Sequence, residues 1–226
     1  MVDAHDTAEL APCVASLFPE GVTAAHVHGS VSPSHLFTHE RTYVQTAVIK
    51  RQSEFSAGRV CARLALATIG LIDAPLLVAE DRLPLWPTGT TGSISHTDGY
   101  CVAAVGLARR FCGIGVDTET LGRVEPKLWQ EIFRVEEINR LHILNELQQL
   151  EIATVMFSAK EAFYKCQFTL TRRWLEFKDV SVEIAANTFR IQICRDKVES
   201  PLLPRLLYGK FFVDGTRVVC GIAIQP

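Results

Sequence analysis

Residues 154–165 read Thr-Val-Met-Phe-Ser-Ala-Lys-Glu-Ala-Phe-Tyr-Lys. Over the longer run 152–168, Ile152, Val155, Met156, Ala159, Phe163 and Cys166 recur at helical spacing and predict one buried face. Lys160, Glu161 and Lys165 then fall on or beside the polar face. Taken alone, Glu161 and Lys165 are a favourable i,i+4 pair on a surface, worth ~0.2–0.5 kcal/mol. Their meaning depends on a second stretch, Phe111-Cys-Gly-Ile-Gly-Val-Asp-Thr-Glu119, which reads as a strand. Period two places Asp117 and Glu119 on the same strand face. Like charges that close repel, so either open water surrounds them or a cation holds them. Three carboxylates (Asp117, Glu119, Glu161) with lysines nearby would suit a divalent metal and a phosphate. Gly113 and Gly115 lack the third glycine and the following helix of a dinucleotide-binding turn.

Upstream, residues 53–69 predict a helix with Ser53 as N-cap and Gly70 as its stop. Arg59 and Arg63 share a face, and Lys50 and Arg51 stand just before it. A solvated surface and a phosphate clamp both fit those four bases. The Pro/Gly-rich connector 83–89 leads into Gly92-Ser-Ile-Ser-His-Thr-Asp-Gly99, whose Asp-Gly turn between apolar runs predicts a hairpin. Ser95 and His96 are adjacent on a strand, so they point to opposite faces and make a poor nucleophile pair. A turn-stabilising serine and a ligand-contacting histidine fit better. His26 and His28 share a strand face without a third ligand near in sequence. His35 and His39 lack the order of a zinc-protease helix.

Residues 126–150 read as helix-rich. Short alternating runs at 180–184, 189–194, 208–213 and 217–224 predict an antiparallel meander. A helix followed by strands thus occurs twice, at 53–105 and at 152–224. The expected fold is α+β, two similar halves related by a pseudo-twofold axis with the active site between them. The halves are expected at 1–110, carrying nucleotide contacts, and 111–226, carrying the metal site and catalytic helix.

Composition sets outer limits. With 226 residues, 48% hydrophobic and 21% charged, the chain can build one large domain or two small cores. A formal net charge of −2 gives no electrostatic case for nucleic-acid binding. The first residues do not read as a secretory signal, and no apolar run reaches the ~20 residues of a bilayer span. Seven cysteines without a C-x-x-C pair read as buried free thiols in a reducing cytosol.

The order of these pieces carries a resemblance. A basic cluster with an Ala-Gly-Arg helix, then Trp-Pro-x-Gly, Gly-Ser-Ile-Ser-His, Gly-Ile-Gly-Val-Asp-x-Glu and Phe-Ser-Ala-Lys-Glu-Ala-Phe-Tyr-Lys, resembles the 4′-phosphopantetheinyl transferases. Over residues 50–183 it is similar to the large monomeric surfactin/enterobactin-type group, nearest the enterobactin subgroup. The resemblance implies a cytoplasmic enzyme that moves the phosphopantetheine arm of coenzyme A to a serine of an apo acyl, peptidyl or aryl carrier protein. It implies Asp117, Glu119 and Glu161 as Mg2+ ligands, with Asp117, Glu161 and Lys165 catalytic. Lys50, Arg51, Arg59, Ser95, His96, Lys160 and Lys165 would contact coenzyme A, Lys160 and Lys165 near its phosphates. Glu137 matches a further acidic position of less secure role. Glu161, directly or through a metal-coordinated water, would accept the serine proton. The Gly-Lys-Pro segment of many relatives is replaced here by Leu83-Pro-Leu-Trp-Pro87, which implies either that Arg82 or another base substitutes or that the nucleotide is gripped more weakly. A magnesium-dependent nucleotide phosphohydrolase and a non-catalytic carrier-binding module remain alternatives at this level.

Overall fold

The computed structural model describes residues 8–80, 82–194 and 203–226. In chain order the elements are β1 (Glu9–Leu10), α1 (Pro12–Ala15), β2 (Val22–His28), α2 (Thr38–Arg41), α3 (Ile49–Ala67), β3 (Leu77–Val78), β4 (Pro84–Leu85), β5 (Thr90–Thr97), β6 (Tyr100–Leu107) and β7 (Gly113–Thr120). There follow α4 (Trp129–Ile132), α5 (Val135–His142), α6 (Glu146–Thr171), β8 (Val180–Ala185), β9 (Thr188–Ile193), β10 (Leu206–Val213) and β11 (Arg217–Ile224).

Two antiparallel sheets organise the chain, in the orders β1-β2-β6-β5 and β7-β11-β10-β9-β8. In each, the strand that precedes a long helix pairs with a strand that follows it: β2 with β6 around α3, and β7 with β11 around α6. α3 packs on β2 and β6, and α6 on β7 and β11. The two helices therefore occupy equivalent places, which is the arrangement the repeated helix-and-strand pattern predicts. The fold is α+β.

The long helices show why local signals place boundaries poorly. α6 runs 26 residues, about seven turns, in one piece, and starts where Asn145 caps it, its side chain accepting the Gln148 N–H at 3.0 Å. It ends where Arg172 turns left-handed at φ 52°. Its buried stripe includes Val155, Met156, Ala159, Phe163 and Cys166. α3 begins at Ile49, four residues before the expected cap. Ser53 instead lies inside the helix, where its hydroxyl accepts the Val31 N–H at 2.9 Å and ties down the loop after β2.

α6 lies very close to β7. A Cβ at Gly115 would fall inside the Ala162 carbonyl, and one at Gly113 would meet the Cys166 carbonyl at 2.9 Å. The side-chain-free strand lets the helix settle against the two acidic positions that follow. Gly115→Ala is expected to lower stability by about 1–3 kcal/mol through overpacking. Urea denaturation checks it, and an unchanged midpoint would mean that α6 shifts freely on β7.

The edges β5 and β7 face each other across a seam made of side chains. Alternate β5 residues point across it: Ser93 donates to the Val116 carbonyl at 3.4 Å, Ser95 to Asp117 at 2.9 Å, and Thr97 meets Thr120 at 3.1 Å. The Asp98-Gly99 turn of the β5–β6 hairpin, with Gly99 at φ 69°, sits at one end of this seam. The first 45 residues, without a decisive motif in sequence, supply β2. They also supply Leu17 and Phe18, which pack against Gly221 of β11.

Candidate functional site

The seam gathers the acidic strand, the hairpin and α6. Lys165 Nζ donates to Asp117 Oδ1 at 2.6 Å, to Ser95 Oγ at 2.8 Å and to the Val116 carbonyl at 3.4 Å. Ser95 Oγ also accepts the Thr118 N–H at 3.3 Å, so this serine is held by three groups. The Glu161–Lys165 surface pair that helical spacing taken alone suggests is replaced by this inward contact, because the lysine reaches across to β7.

Asp117 is 2% exposed, and its Oδ2 is buried with no hydrogen-bond partner. A buried carboxylate oxygen without a donor is costly unless another group meets it. Glu119 and Glu161 crowd the same point. Burial, then the Asp117 charge, pushes the Glu119 carboxyl up to about 7, and Glu161 adds to that shift. Glu161 is likewise raised, first by burial and then by Asp117, while Lys165 opposes the shift. The period-two reading of Asp117 and Glu119 holds, since both act on one spot. Among the described residues no group of three acidic, histidine or cysteine side chains is closed into a metal-ligand cluster. Lys165 occupies one oxygen of Asp117 instead.

His96 points away from Ser95, as a strand requires, and lies 3.8 Å from Glu54 of α3. Burial lowers its pKa; Glu54 opposes that, and the charges of Lys165 and Arg51 reinforce it. His96 therefore stands between the bases of the two halves. Lys50 and Arg51 are exposed at the start of α3, Lys50 4.0 Å from Glu54.

The two helix arginines do not form a shared exposed clamp. Arg63 is committed to Glu40 at 2.7 Å and to the His35 carbonyl at 2.6 Å. Arg59 is 6% exposed, donates through Nε to the Leu76 carbonyl at 2.9 Å and lies 4.0 Å over the Phe55 ring. Burial holds its guanidinium down at about 10, with the Arg51 and Arg63 charges adding to the effect.

Lys160 departs furthest from expectation. A place on the polar face near phosphates is corrected: its side chain is fully buried. Its ammonium donates to Glu137 Oε2 and the Phe177 carbonyl at 2.8 Å, to the Ile132 carbonyl at 3.1 Å and to the Val180 carbonyl at 3.2 Å. The acceptors lie in α4, in α5 and in the segment that runs into β8, and together they hold the ammonium inside the protein. Burial lowers its pKa and Glu137 opposes that shift. Glu137, the acidic position of insecure role, is Lys160's partner.

Two cavities open on either side of the carboxylates. One, about 650 Å³, is lined by Glu161 and Lys165 together with Tyr164, Phe168, Trp174 and Phe177. The other, about 360 Å³, is lined by Lys50, Glu54, His96, Glu119, Arg123 and Phe157 among others. Sequence patterning missed the aromatic wall, because Trp174 and Phe177 lie beyond the helix in a stretch without periodicity.

An acidic cluster crossed by lysine thus lies between a charged cavity and an apolar groove. Comparison with known proteins gives the chain its class. Residues 39–106 match the family model of the 4′-phosphopantetheinyl transferase N-terminal domain, and 113–209 that of the 4′-phosphopantetheinyl transferase superfamily. The 4′-phosphopantetheinyl transferase Npt of Nocardia iowensis is 33% identical over 181 residues, 79% of this chain and 78% of that protein. The 4′-phosphopantetheinyl transferase Svp of Streptomyces mobaraensis is 32% identical over 208 residues, 89% of this chain and 81% of that protein. Enterobactin synthase component D of Salmonella typhi is 34% identical over 129 residues, 56% of this chain and 52% of that protein. The chain belongs to the 4′-phosphopantetheinyl transferase family and is an enzyme of that type. The two matched segments meet between β6 and β7, where one sheet gives way to the other.

Proposed function

We propose that the protein transfers the 4′-phosphopantetheine arm of coenzyme A to a serine of an apo acyl, peptidyl or aryl carrier protein, with Mg2+ in the acidic site. The observation that carries this reading is the meeting of Lys165, Ser95 and Asp117 at one point of the seam, with Glu119 and Glu161 crowding it. The residues suit the metal: hard carboxylate oxygens favour a small divalent cation, and the partnerless Asp117 Oδ2 is an oxygen awaiting one. Asp117, Glu119 and Glu161 would hold it. When bound, Mg2+ would neutralise the coenzyme A diphosphate and polarise the phosphoryl group under attack.

The side chains divide the remaining work. The carrier serine oxygen forms a bond to the phosphorus that bears the pantetheine arm, and the P–O bond to the adenosine-side phosphate breaks. Adenosine 3′,5′-bisphosphate leaves. Glu161, its carboxyl pushed up by burial, accepts the serine proton. Lys165, freed from Asp117, stabilises charge on the leaving phosphate. Lys50, Arg51 and His96 would receive the nucleotide phosphates, with Arg59 behind them and Ser95 orienting Lys165. The groove of Tyr164, Phe168, Trp174 and Phe177 would take the pantetheine arm. In this division residues 1–110 serve the nucleotide and 111–226 the metal and the chemistry. The enzyme acts as a monomer in the cytoplasm. No helix of the described residues is long and apolar enough to cross a membrane.

Mass spectrometry of a panel of apo-carriers, incubated with the protein, coenzyme A and Mg2+, tests the reading. A phosphopantetheine adduct on the carrier serine is expected. Bisphosphate released without a carrier would instead make the protein a hydrolase, and no adduct on any carrier would make it a binding module.

The raised carboxyl pKa values also predict a metal-linked stability. A carboxyl lifted from 4.5 to about 7 on folding binds its proton more tightly in the folded state. Its contribution is thus full at acid pH and lost as pH rises through 7. A cation among the carboxylates removes that loss. Mg2+ is expected to raise the melting temperature more at about pH 8 than at about pH 5.5. An equal rise at both would place the metal elsewhere.

A further inference from the structure

Among the described residues each half contains one fully buried glutamate, and the two are bonded in the same way. Glu40 Oε1 accepts the Leu76 N–H at 2.8 Å, and its Oε2 accepts the Phe37 N–H at 3.0 Å and Arg63 of α3 at 2.7 Å. Glu137 Oε1 accepts the Val182 N–H at 2.7 Å, and its Oε2 accepts the Arg134 N–H at 2.7 Å and Lys160 of α6 at 2.8 Å. In both cases one oxygen holds the chain after the long helix. The other holds the start of a short helix before it, together with a base on the long helix itself. Both glutamate side chains are 0% exposed.

A buried ion pair is weak evidence for net stability, because desolvation of the two charges offsets most of their attraction. Two such pairs at corresponding places in the topology are better accounted for by geometry. Each fixes the rotation of its long helix against the segments entering and leaving it. Lys160 and Glu161 are neighbours on α6, about 100° apart around the axis, so locking one sets the direction of the other. Lys160 also grips the carbonyls of Ile132 and Phe177, and Phe177 lines the groove beside Glu161. In the other half, Glu40 holds the Leu76 N–H while Arg59 donates to the Leu76 carbonyl. That clamp therefore fixes the guanidinium behind the nucleotide.

We propose that Glu137–Lys160 and Glu40–Arg63 are a duplicated pair of positioning clamps, the first aiming Glu161 for the chemical step and the second placing Arg59 for coenzyme A. This rests on the roles given above to Glu161 and Arg59.

The experiment is steady-state transfer to an apo-carrier at a temperature well below each variant's melting transition, with activity referred to folded protein. Glu137→Gln and Lys160→Met are expected to lower kcat about 10–100-fold, because small misplacements of a reacting group cost that much, with the KM for coenzyme A within about twofold. Glu40→Gln is expected to raise that KM about tenfold with kcat within about twofold. If Lys160→Met does not fold, the double variant Glu137→Met/Lys160→Met removes both charges as a unit and should fold, yet keep the kcat defect. Wild-type kcat per folded molecule in the foldable Glu137 or Lys160 variants overturns the proposal. So does a pattern in which both clamps shift the same parameter, which is what a purely structural role predicts. Glu161→Gln and Arg59→Gln, run alongside, separate the two levels. Full activity in Glu161→Gln removes the functional reading itself. Loss there, with wild-type clamps, removes only the positioning role.

Discussion

Glu161→Ala is expected to lower kcat for transfer by roughly 1,000-fold, the scale of losing a pre-organised charged group at the reacting centre. Glu161 has two tasks in the proposed mechanism, one toward the metal and one toward the serine proton, and alanine removes both. The fold should survive, because Glu161 makes none of the bonds that anchor α6; those belong to Lys160 and Asn145. Its removal also relieves repulsion with Asp117, so the melting temperature without metal should hold or rise. Transfer within tenfold of wild type, in a variant with unchanged circular dichroism, would strike Glu161 from the catalytic set.

Lys165→Met separates catalysis from metal binding. Lys165 now lies on Asp117 Oδ1, the carboxylate that the cation needs. Methionine keeps much of the side-chain length without the charge. Transfer is expected to fall roughly 100-fold or more as the leaving phosphate loses its cation. Mg2+ should at the same time bind more tightly, because no ammonium competes for the aspartate. Calorimetric titration with Mg2+ reads this directly. A weaker or unchanged affinity would mean that Lys165 and the metal use Asp117 independently.

Much of this site was legible in the sequence because it rests on short periodicities. Asp117-x-Glu119 on a strand and Ser95 beside His96 in a hairpin follow from period two, and the structure reproduces both. The long helices and the final meander follow from apolar spacing. What failed was the sorting of bases. Lys160 falls one position outside the apolar stripe of α6, and no pattern in its own neighbourhood says that Glu137, 23 positions earlier, returns to meet it. Arg63 fits neither a solvated surface nor a phosphate clamp for the same reason, its partner Glu40 being just as far away. A burial decision made by a distant acid is invisible to local spacing. Phe-Ser-Ala occurs at 55–57 in α3 and again at 157–159 in α6, but aligning the helices on it sets Lys160 against Gly58 and Arg63 against Lys165, so even this repeat does not lead to Glu137. The start of α3 was misplaced because Ser53, a good cap by type, is used by Val31 instead.

The β5–β7 seam also says where function would vanish if the polypeptide were cut. Ser95 and His96 lie on one edge strand, Asp117 and Glu119 on the other, and no ladder of main-chain bonds joins them. A break in the turn near Arg109 and Arg110 would leave each fragment with its own sheet, its own long helix and half a site. Transfer would then report reunion of the fragments rather than the folding of either, and this enzyme could serve as a split reporter whose signal is a covalent mark on a carrier.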